Sequence, residues 1–220
     1  MKILLTILIT VFTITVYGQK EQQQRLTEFL PEGYMIFETI YGDLNKDGLV
    51  DCILIIKGTD KSKIIIDEYR GKLDRNRRGM LILINRMGKY ELAVKNQDCF
   101  SSENEDGGVY FAPELFIAIK NGKLLVSYGH GRYGYWSYTF RYQNADLDLI
   151  GYDESSNRGP VIRSMTSINF LTKKKQVKVN MNQDGADEEE VFKETWKNIK
   201  INRLVKLSEI KDFNELDMTY

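Results

Sequence analysis

One seven-residue segment limits the fold of this chain more than any other part of its sequence. In Trp136–Tyr142 every even position is aromatic, while the odd positions from 137 to 141 are polar. Successive side chains of a strand point to opposite faces of a sheet, so the pattern predicts a strand that buries its four rings on one side. Stacking of the rings on a sugar is the alternative, but core packing is the commoner cause of regular alternation.

Turn signals between apolar segments recur along most of the chain. Asn121-Gly122 separates two such segments and suits the positive φ angles of a type I′ turn. Further turns are predicted at Gly88, at Asn144-Ala145 and at Lys173–Lys175. Successive hairpins predict a mainly β fold, an antiparallel meander in one domain, with a sandwich, a barrel and a partly propeller-like sheet as alternatives.

A short N-terminal helix is expected before the first strand. Lys20–Leu30 is rich in Gln, Glu, Arg and Leu, which favour a helix, and Pro31 would end it. The 220 residues include three prolines and no Pro-rich or Gly/Ser-rich linker. Residues 19–220 are therefore expected to form a single β-rich domain.

Residues 1–18 have the three parts of a cleavable signal peptide. Lys2 supplies the positive charge, Ile3–Tyr17 is apolar and uncharged, and Val16 and Gly18 suit the −3 and −1 positions of a cleavage site. The apolar run is shorter than the roughly 20 residues that span a bilayer. We therefore expect a secreted or periplasmic protein with no membrane span after cleavage; a retained anchor and a buried strand are the alternatives.

The charges of the chain balance. Its 31 basic residues match 31 acidic ones, and Lys2 is the only charge that signal cleavage would remove. A nearly neutral protein has no overall field to draw it to nucleic acid, so we expect no nucleic-acid partner, and an unidentified protein or glycan partner instead. Residues 72–78 form a local basic run, which we interpret as a solvated loop, with a phosphate site as the alternative.

Two cysteines, Cys52 and Cys99, are present. An oxidising compartment permits a single disulfide between them, provided that their Cα atoms come close enough. Two separate buried thiols are the alternative.

Oxygen-bearing side chains recur through the segment 43–51. Calcium takes six to eight oxygen ligands, so a short loop must turn several of them inward. Gly48 stands at loop position 6, where the chain must turn sharply, and the carbonyl of Leu49 would occupy position 7. The side-chain ligands predicted at positions 1, 3, 5 and 9 are Asp43, Asn45, Asp47 and Asp51, the last directly or through water. A polar turn without a metal is the alternative.

The loop departs from an EF-hand, because Leu54 stands at position 12 in place of a bidentate Glu and the flanking segments look extended. It resembles the calcium loops of FG-GAP and VCBS repeats in integrin-type β-propellers, over about residues 40–57. That resemblance implies a calcium-binding hairpin between two strands. Such propellers repeat the loop in each blade, whereas this chain has one convincing copy.

Much of residues 33–180 also resembles a group of uncharacterised secreted bacterial β proteins. The segments that carry this resemblance are 107–110, 119–122, 136–144, 149–152 and 167–172. The resemblance implies a shared fold and assigns no reaction.

A weaker calcium candidate follows later in the chain. Its oxygen-bearing residues are Asn180, Asn182, Asp184 and Glu188. Fewer charges at its first positions would weaken the site, so we favour a turn beside a solvated acidic run, Asp187–Glu190.

The only histidine, His130, shares a glycine- and aromatic-rich segment with Arg132 and Tyr133. We predict a loop there, either holding a ligand or without chemistry. The chain has no Gly-x-Ser-x-Gly elbow and no Cys-centred signature, so His130 has no identified nucleophile to activate.

These features predict an exported, non-catalytic β protein with a structural calcium ion, acting in binding or at the envelope. The main alternative is an exported hydrolase acting on glycans, with carboxylates near the His130 loop. An inhibitor or immunity-type protein is a third hypothesis.

Overall fold

The structure is a computed structural model that describes residues 26–105, 112–182 and 190–220. The strands in these ranges are β1 (Tyr34–Gly42), β2 (Asp51–Gly58), β3 (Ile64–Asp67), β4 (Gly71–Asp74), β5 (Arg78–Arg86), β6 (Lys89–Phe100), β7 (Glu114–Ile119), β8 (Leu124–Gly129), β9 (Gly134–Gln143), β10 (Asp146–Arg158), β11 (Val161–Asn169), β12 (Lys174–Asn180) and β13 (Phe192–Asn198). Short 3₁₀ turns occupy Lys61–Lys63, Gly131–Tyr133, Leu207–Glu209 and Phe213–Glu215.

The strands form two main sheets and a small hairpin. The four-stranded sheet has the order β1-β2-β5-β6, the seven-stranded sheet runs from β13 through β12, β11, β10, β9 and β8 to β7, and β3 pairs with β4. All neighbouring strands are antiparallel. The predicted mainly β, antiparallel fold is confirmed, and the described strands form two open sheets rather than a closed barrel.

The predicted turns have the expected backbone. Asn121 and Gly122 have φ angles of 54° and 67°, and Asn144 and Ala145 have 53° and 59°, so each pair fits the type I′ turn that joins twisted antiparallel strands. Gly88, with φ 90°, turns the chain between β5 and β6.

Both main sheets contribute to one hydrophobic cluster. The four-stranded sheet provides Ile53, Ile55, Met80 and Ile82, and the seven-stranded sheet provides Val126, Tyr138, Phe140 and Leu149. The aromatic alternation is thereby confirmed as core packing: Tyr138 and Phe140 are buried, while Trp136 and Tyr142 pack at the margin of the cluster.

The C-terminal segment completes this core without forming a strand. Leu207, Ile210 and Phe213 are buried in it, and the ring of Phe213 stacks on Phe100 at 5.0 Å. The side-chain amide of Asn96 donates to the carbonyls of Leu207 and Ile210 at 2.8 and 2.7 Å. Residues at the end of the chain therefore hold the two sheets together.

The disulfide that the sequence permits is not formed in the structure. Cys52 and Cys99 are buried free thiols, and they belong to different hydrophobic clusters. Cys99 lies in the shared core, whereas Cys52 packs with Leu54 and Ile56 on the other face of the four-stranded sheet. A pleated strand directs side chains to both faces, so the sheet itself separates the two sulfur atoms. The structure shows the alternative of two separate buried thiols.

Several predictions concern segments outside the described residues. These include the signal peptide at 1–18, the segment 107–110, and Lys20–Leu30 apart from its last turn. That turn has two i→i+3 backbone bonds, from Phe29 to Leu26 and from Leu30 to Thr27. No helix within the described ranges is long and apolar enough to cross a membrane.

Candidate functional sites

Residues 43–51 form the acidic loop, which joins β1 to β2 at one end of the four-stranded sheet. Lys46 and Gly48 take positive φ angles of 63° and 85°, which turn the backbone sharply. The amide of Asp47 donates to Oδ1 of Asn45 at 2.9 Å and to Oδ1 of Asp43 at 3.2 Å. The side-chain oxygens of loop positions 1 and 3 therefore lie on the same side of the turn.

Asp47 at loop position 5 points into the same turn. Its Oδ1 accepts from the amide of Leu49 at 2.8 Å, and its Oδ2 accepts from Nδ2 of Asn45 at 2.8 Å. These hydrogen bonds, with the charge of Arg86, hold the pKa of Asp47 below its ordinary value, because they stabilise the ionised carboxylate. Asp47 is therefore an exposed anion at neutral pH.

Asp51 at loop position 9 is fully buried. Its Oδ2 accepts from the amides of Leu44 and Asn45 at 2.8 and 3.3 Å, and its Oδ1 accepts from the amide of Asn85 at 2.9 Å. Asn85 also donates to the carbonyl of Val50 at 3.1 Å. Asp51 thus ties the acidic loop to the β5–β6 hairpin, a role that its spacing in the sequence does not reveal.

The acidic loop carries three carboxylates and one cation of its own, Lys46, and the charge of Arg86 also acts on Asp47. In the described part of the chain, no lysine or arginine forms an ion pair with Asp43, Asp47 or Asp51. Nor do three or more His, Cys, Asp or Glu side chains of these ranges form a group arranged for a metal. The side-chain oxygens of the loop are the kind of ligand that a hard cation prefers. Backbone amides already hold several of these oxygens in place through hydrogen bonds.

The weaker calcium candidate is described only in part. Asn180 is buried, donates through Nδ2 to the carbonyl of Ile162 at 2.9 Å, and accepts from the amide of Asn182 at 2.9 Å. Asp184 and Glu188 lie outside the described residues. The described half therefore forms a turn at the end of β12, and the side chain of Asn180 links this turn to the start of β11 by a hydrogen bond.

A second feature, which we name the polar cavity, lies at the opposite end of the four-stranded sheet. It has a volume of about 680 Å³. The first residue of β1, the last of β2, the connection from β4 to β5 and the end of β6 all meet there. Residues in its wall include Tyr34, Asp60, Lys63, Arg75, Arg77 and Asp98.

The arginines of the polar cavity are paired. Nη1 of Arg75 lies 3.0 Å from Oε2 of Glu105, and Nη2 of Arg77 lies 2.6 Å from Oδ2 of Asp212. Nε of Arg77 also donates to the carbonyl of Asp98 at 2.9 Å. The interpretation of residues 72–78 as a solvated loop is therefore wrong for its arginines, and the neighbouring Arg78 is itself buried. Their acidic partners are distant in sequence, so a local pattern cannot show them.

Two further side chains shape the polar cavity. The hydroxyl of Tyr34 donates to Oδ1 of Asp98 at 2.9 Å, and burial together with the Asp98 carboxylate raises the pKa of Tyr34 to about 12. Asn76 is buried: its Oδ1 accepts from the amide of Asp60, and its Nδ2 donates to the Asp60 carbonyl and to Asp74. Tyr34 therefore stays protonated, and Asn76 fixes the position of the Asp60 backbone.

The predicted His130 loop lines a smaller cavity of about 330 Å³. The structure brings His130, Arg132 and Tyr133 together there, with the rings of His130 and Tyr133 5.1 Å apart. Gly134 closes the loop at φ 107°, and a Cβ atom on it would lie 1.8 Å from the Ser155 carbonyl oxygen. The loop is thus held in one shape by a position that only glycine fits.

The described residues of this smaller cavity do not include the pair of carboxylates that glycoside hydrolysis ordinarily needs. Among the described residues of its wall, Glu114 is the one acidic side chain.

The chain was compared with protein-family models, with curated proteins and with solved structures, and nothing matched. The functional interpretation therefore rests on the geometry of these sites.

Proposed function

We propose that this chain is an exported, non-catalytic β protein whose acidic loop binds calcium as a structural ion. The observation that supports this most is the shared amide of Asp47, which aligns the side-chain oxygens of Asp43 and Asn45 beside an ionised Asp47. Oxygen atoms, net negative charge and a sharp turn are the properties of a loop that binds calcium.

The ligands we assign are the side chains of Asp43, Asn45 and Asp47 and the carbonyl of Leu49. Asp51 frames the loop, because its two oxygens already accept three amide hydrogen bonds; we propose that water joins it to the ion. Position 12 is Leu54, which is buried in β2 and offers no side-chain oxygen. A site without that bidentate ligand should bind in the range of extracellular modules, on the order of 10⁻⁴ to 10⁻³ M.

The role we propose is binding, in the periplasm or outside the cell, to a protein or glycan and not to nucleic acid. Export is inferred from residues 1–18, and the exclusion of nucleic acid from the balance of 31 basic and 31 acidic residues. The absence of catalysis is inferred from the chain's lack of a nucleophile motif. Burial also raises the pKa of the thiol of Cys52 to about 12, which disfavours a reactive thiolate.

Thermal unfolding tests the calcium proposal. At a hundredfold excess over Kd, a ligand that binds only the folded state stabilises it by about 2.7 kcal/mol. For a domain of this size each kcal/mol raises Tm by roughly 2–4 °C, so saturating CaCl₂ should raise Tm by several degrees. Asp47→Ala should abolish this rise.

Asp217→Ala is the matched control. Asp217 is also an exposed aspartate whose Oδ1 accepts from the amide two residues later, that of Thr219, at 2.9 Å. Its variant should keep the full response to calcium. If the wild-type Tm does not change in 10 mM CaCl₂, or if Asp47→Ala keeps the rise, the proposal is wrong.

A further inference from the structure

We propose that the β11–β12 turn and the adjoining end of β13 form a docking surface for an anionic lipid membrane. The surface, which we name the basic corner, consists of Leu171, Lys173, Lys174, Lys197 and Lys200. It does not include the acidic loop, so this inference goes beyond the proposed function and does not depend on calcium.

The pairing of β12 with β13 brings the four lysines of the basic corner to one end of the seven-stranded sheet. Lys173 precedes β12 and Lys174 begins it, while Lys197 lies near the end of β13 and Lys200 follows that strand. The amide of Ile199 donates to the carbonyl of Lys173 at 2.9 Å, which joins the two segments. All four lysine side chains are exposed.

The positive charge of the basic corner is not compensated locally. In the described ranges, no acidic side chain forms an ion pair with any of its four lysines. Acidic side chains nearby have other basic partners: Glu194 pairs with Lys178, Asp148 with Lys206 and Glu209 with Arg203. Glu190 lies at the opposite end of the sheet, where it accepts from the amide of Ile162 at the start of β11. The basic corner is therefore positive although the whole chain is neutral.

An apolar side chain projects among these lysines. Leu171 is 47% exposed in the β11–β12 turn. Oδ1 of Asn169 accepts from the amides of Leu171 and Thr172, both at 3.0 Å, so the turn is ordered before any partner binds. Trp196 is 60% exposed at the margin of the basic corner, on the face of the sheet that also carries Lys174.

This combination of side chains favours a lipid surface over other polyanions. Anionic lipid headgroups attract lysines, the acyl region accepts a leucine, and tryptophan is enriched at the boundary between the two. An acidic polysaccharide would also attract the lysines, but it would leave Leu171 in water.

The β3–β4 hairpin shows that exposed apolar side chains alone do not define such a surface. Tyr69 at its turn is 90% exposed. The charged residues around Tyr69 are Asp67, Glu68, Arg70 and Lys72, and their charges balance. An anionic membrane should therefore attract the basic corner and not this hairpin.

Co-sedimentation with lipid vesicles tests the inference. The mature chain, residues 19–220, is used so that the apolar segment of the signal peptide does not itself bind lipid, and EDTA prevents calcium from bridging protein and lipid. Vesicles of phosphatidylcholine alone are compared with vesicles that contain about 30% phosphatidylglycerol, an anionic lipid. We expect binding to the anionic vesicles to be tighter by about tenfold or more. Addition of about 0.5 M NaCl should largely remove this difference, because salt screens the charges.

Two variants locate the binding surface. Lys174→Gln combined with Lys200→Gln should weaken binding to anionic vesicles by about tenfold or more, because each lysine near such a surface adds to the attraction. Leu171→Ser should weaken it by about threefold, because a partly exposed leucine no longer enters the acyl region. The matched control is Tyr69→Ser combined with Lys72→Gln, which removes one exposed apolar and one exposed basic side chain from the β3–β4 hairpin. It should keep the wild-type affinity within about twofold.

Unfolding curves in EDTA establish that each variant is folded, and Leu171→Ser keeps the test valid if the lysine variant is not. The inference is overturned if the two kinds of vesicle bind equally, or if the control variant loses as much affinity as the lysine variant. Alginate, an acidic polysaccharide, is the competing probe. Binding to alginate without binding to anionic vesicles would also overturn the assignment to a membrane.

Discussion

The two ends of the four-stranded sheet both hold several carboxylates, but different donors satisfy them. In the acidic loop the partners of Asp43 and Asp51 are backbone amides, which are neutral. At the polar cavity Glu105 meets the guanidinium of Arg75. An amide organises a carboxylate and leaves its charge in place, whereas an arginine cancels that charge. This difference is why we assign a cation to the acidic loop and not to the Arg75–Glu105 pair.

We expect the largest change in the free energy of unfolding from a substitution at Asp51. Asp51→Ala removes the acceptor of three amides in a fully buried position. Unsatisfied buried donors cost about 1–3 kcal/mol each, so we expect the free energy of unfolding to fall by about 3 kcal/mol or more. Urea denaturation in the presence of a chelator measures this change.

Asp47→Ala is the comparison for that experiment, since Asp47 is exposed while Asp51 is buried. Without calcium the Asp47 variant should unfold close to the wild type. Equal destabilisation by both substitutions would show that Asp51 does not frame the loop.

A smaller effect is expected at the other end of the sheet, through the pH dependence of Glu105. Burial raises the pKa of Glu105, but hydrogen bonds from Ser102 and the charge of Arg75 more than offset it, so its pKa lies below the ordinary 4.5. A carboxyl with a lowered pKa stabilises the fold above 4.5 and loses that contribution as pH falls through the folded-state pKa. Because Glu105 is partly exposed and solvent screens the pair, the loss should be about 1 kcal/mol or less.

Glu105→Gln should remove that part of the acid dependence. Unfolding curves of wild type and variant, measured from pH 6 to pH 3, should therefore converge at the acid end. Curves that remain parallel over the whole range would mean that the Arg75–Glu105 pair does not stabilise this end of the sheet.

The strands and turns of this fold could be predicted from the sequence because their signals are local. The alternation in Trp136–Tyr142 and the pair Asn121-Gly122 each fit within one strand or one turn. The contacts that could not be predicted join residues that are far apart in the sequence. The side chain of Asn96 reaches a carbonyl 111 residues later, and Arg77 reaches an aspartate 135 residues later.

The same limit applies to the candidate sites. The spacing of the acidic loop identified its oxygen-bearing residues, but the contact of Asp51 with Asn85, 34 residues away, leaves no local trace in the sequence. The cysteines could be counted, but their placement in different clusters follows from which strands pair. The polar cavity was missed because its arginines form a run typical of a solvated loop.

Calorimetric titration with CaCl₂ tests most directly whether the acidic loop binds a cation. Wild type and Asp217→Ala should each give heat that fits one site per chain, with a Kd on the order of 10⁻⁴ to 10⁻³ M. Asp47→Ala should give no heat above dilution. Equal heat from wild type and Asp47→Ala, or none from the wild type at millimolar calcium, would contradict the assignment of calcium to the acidic loop.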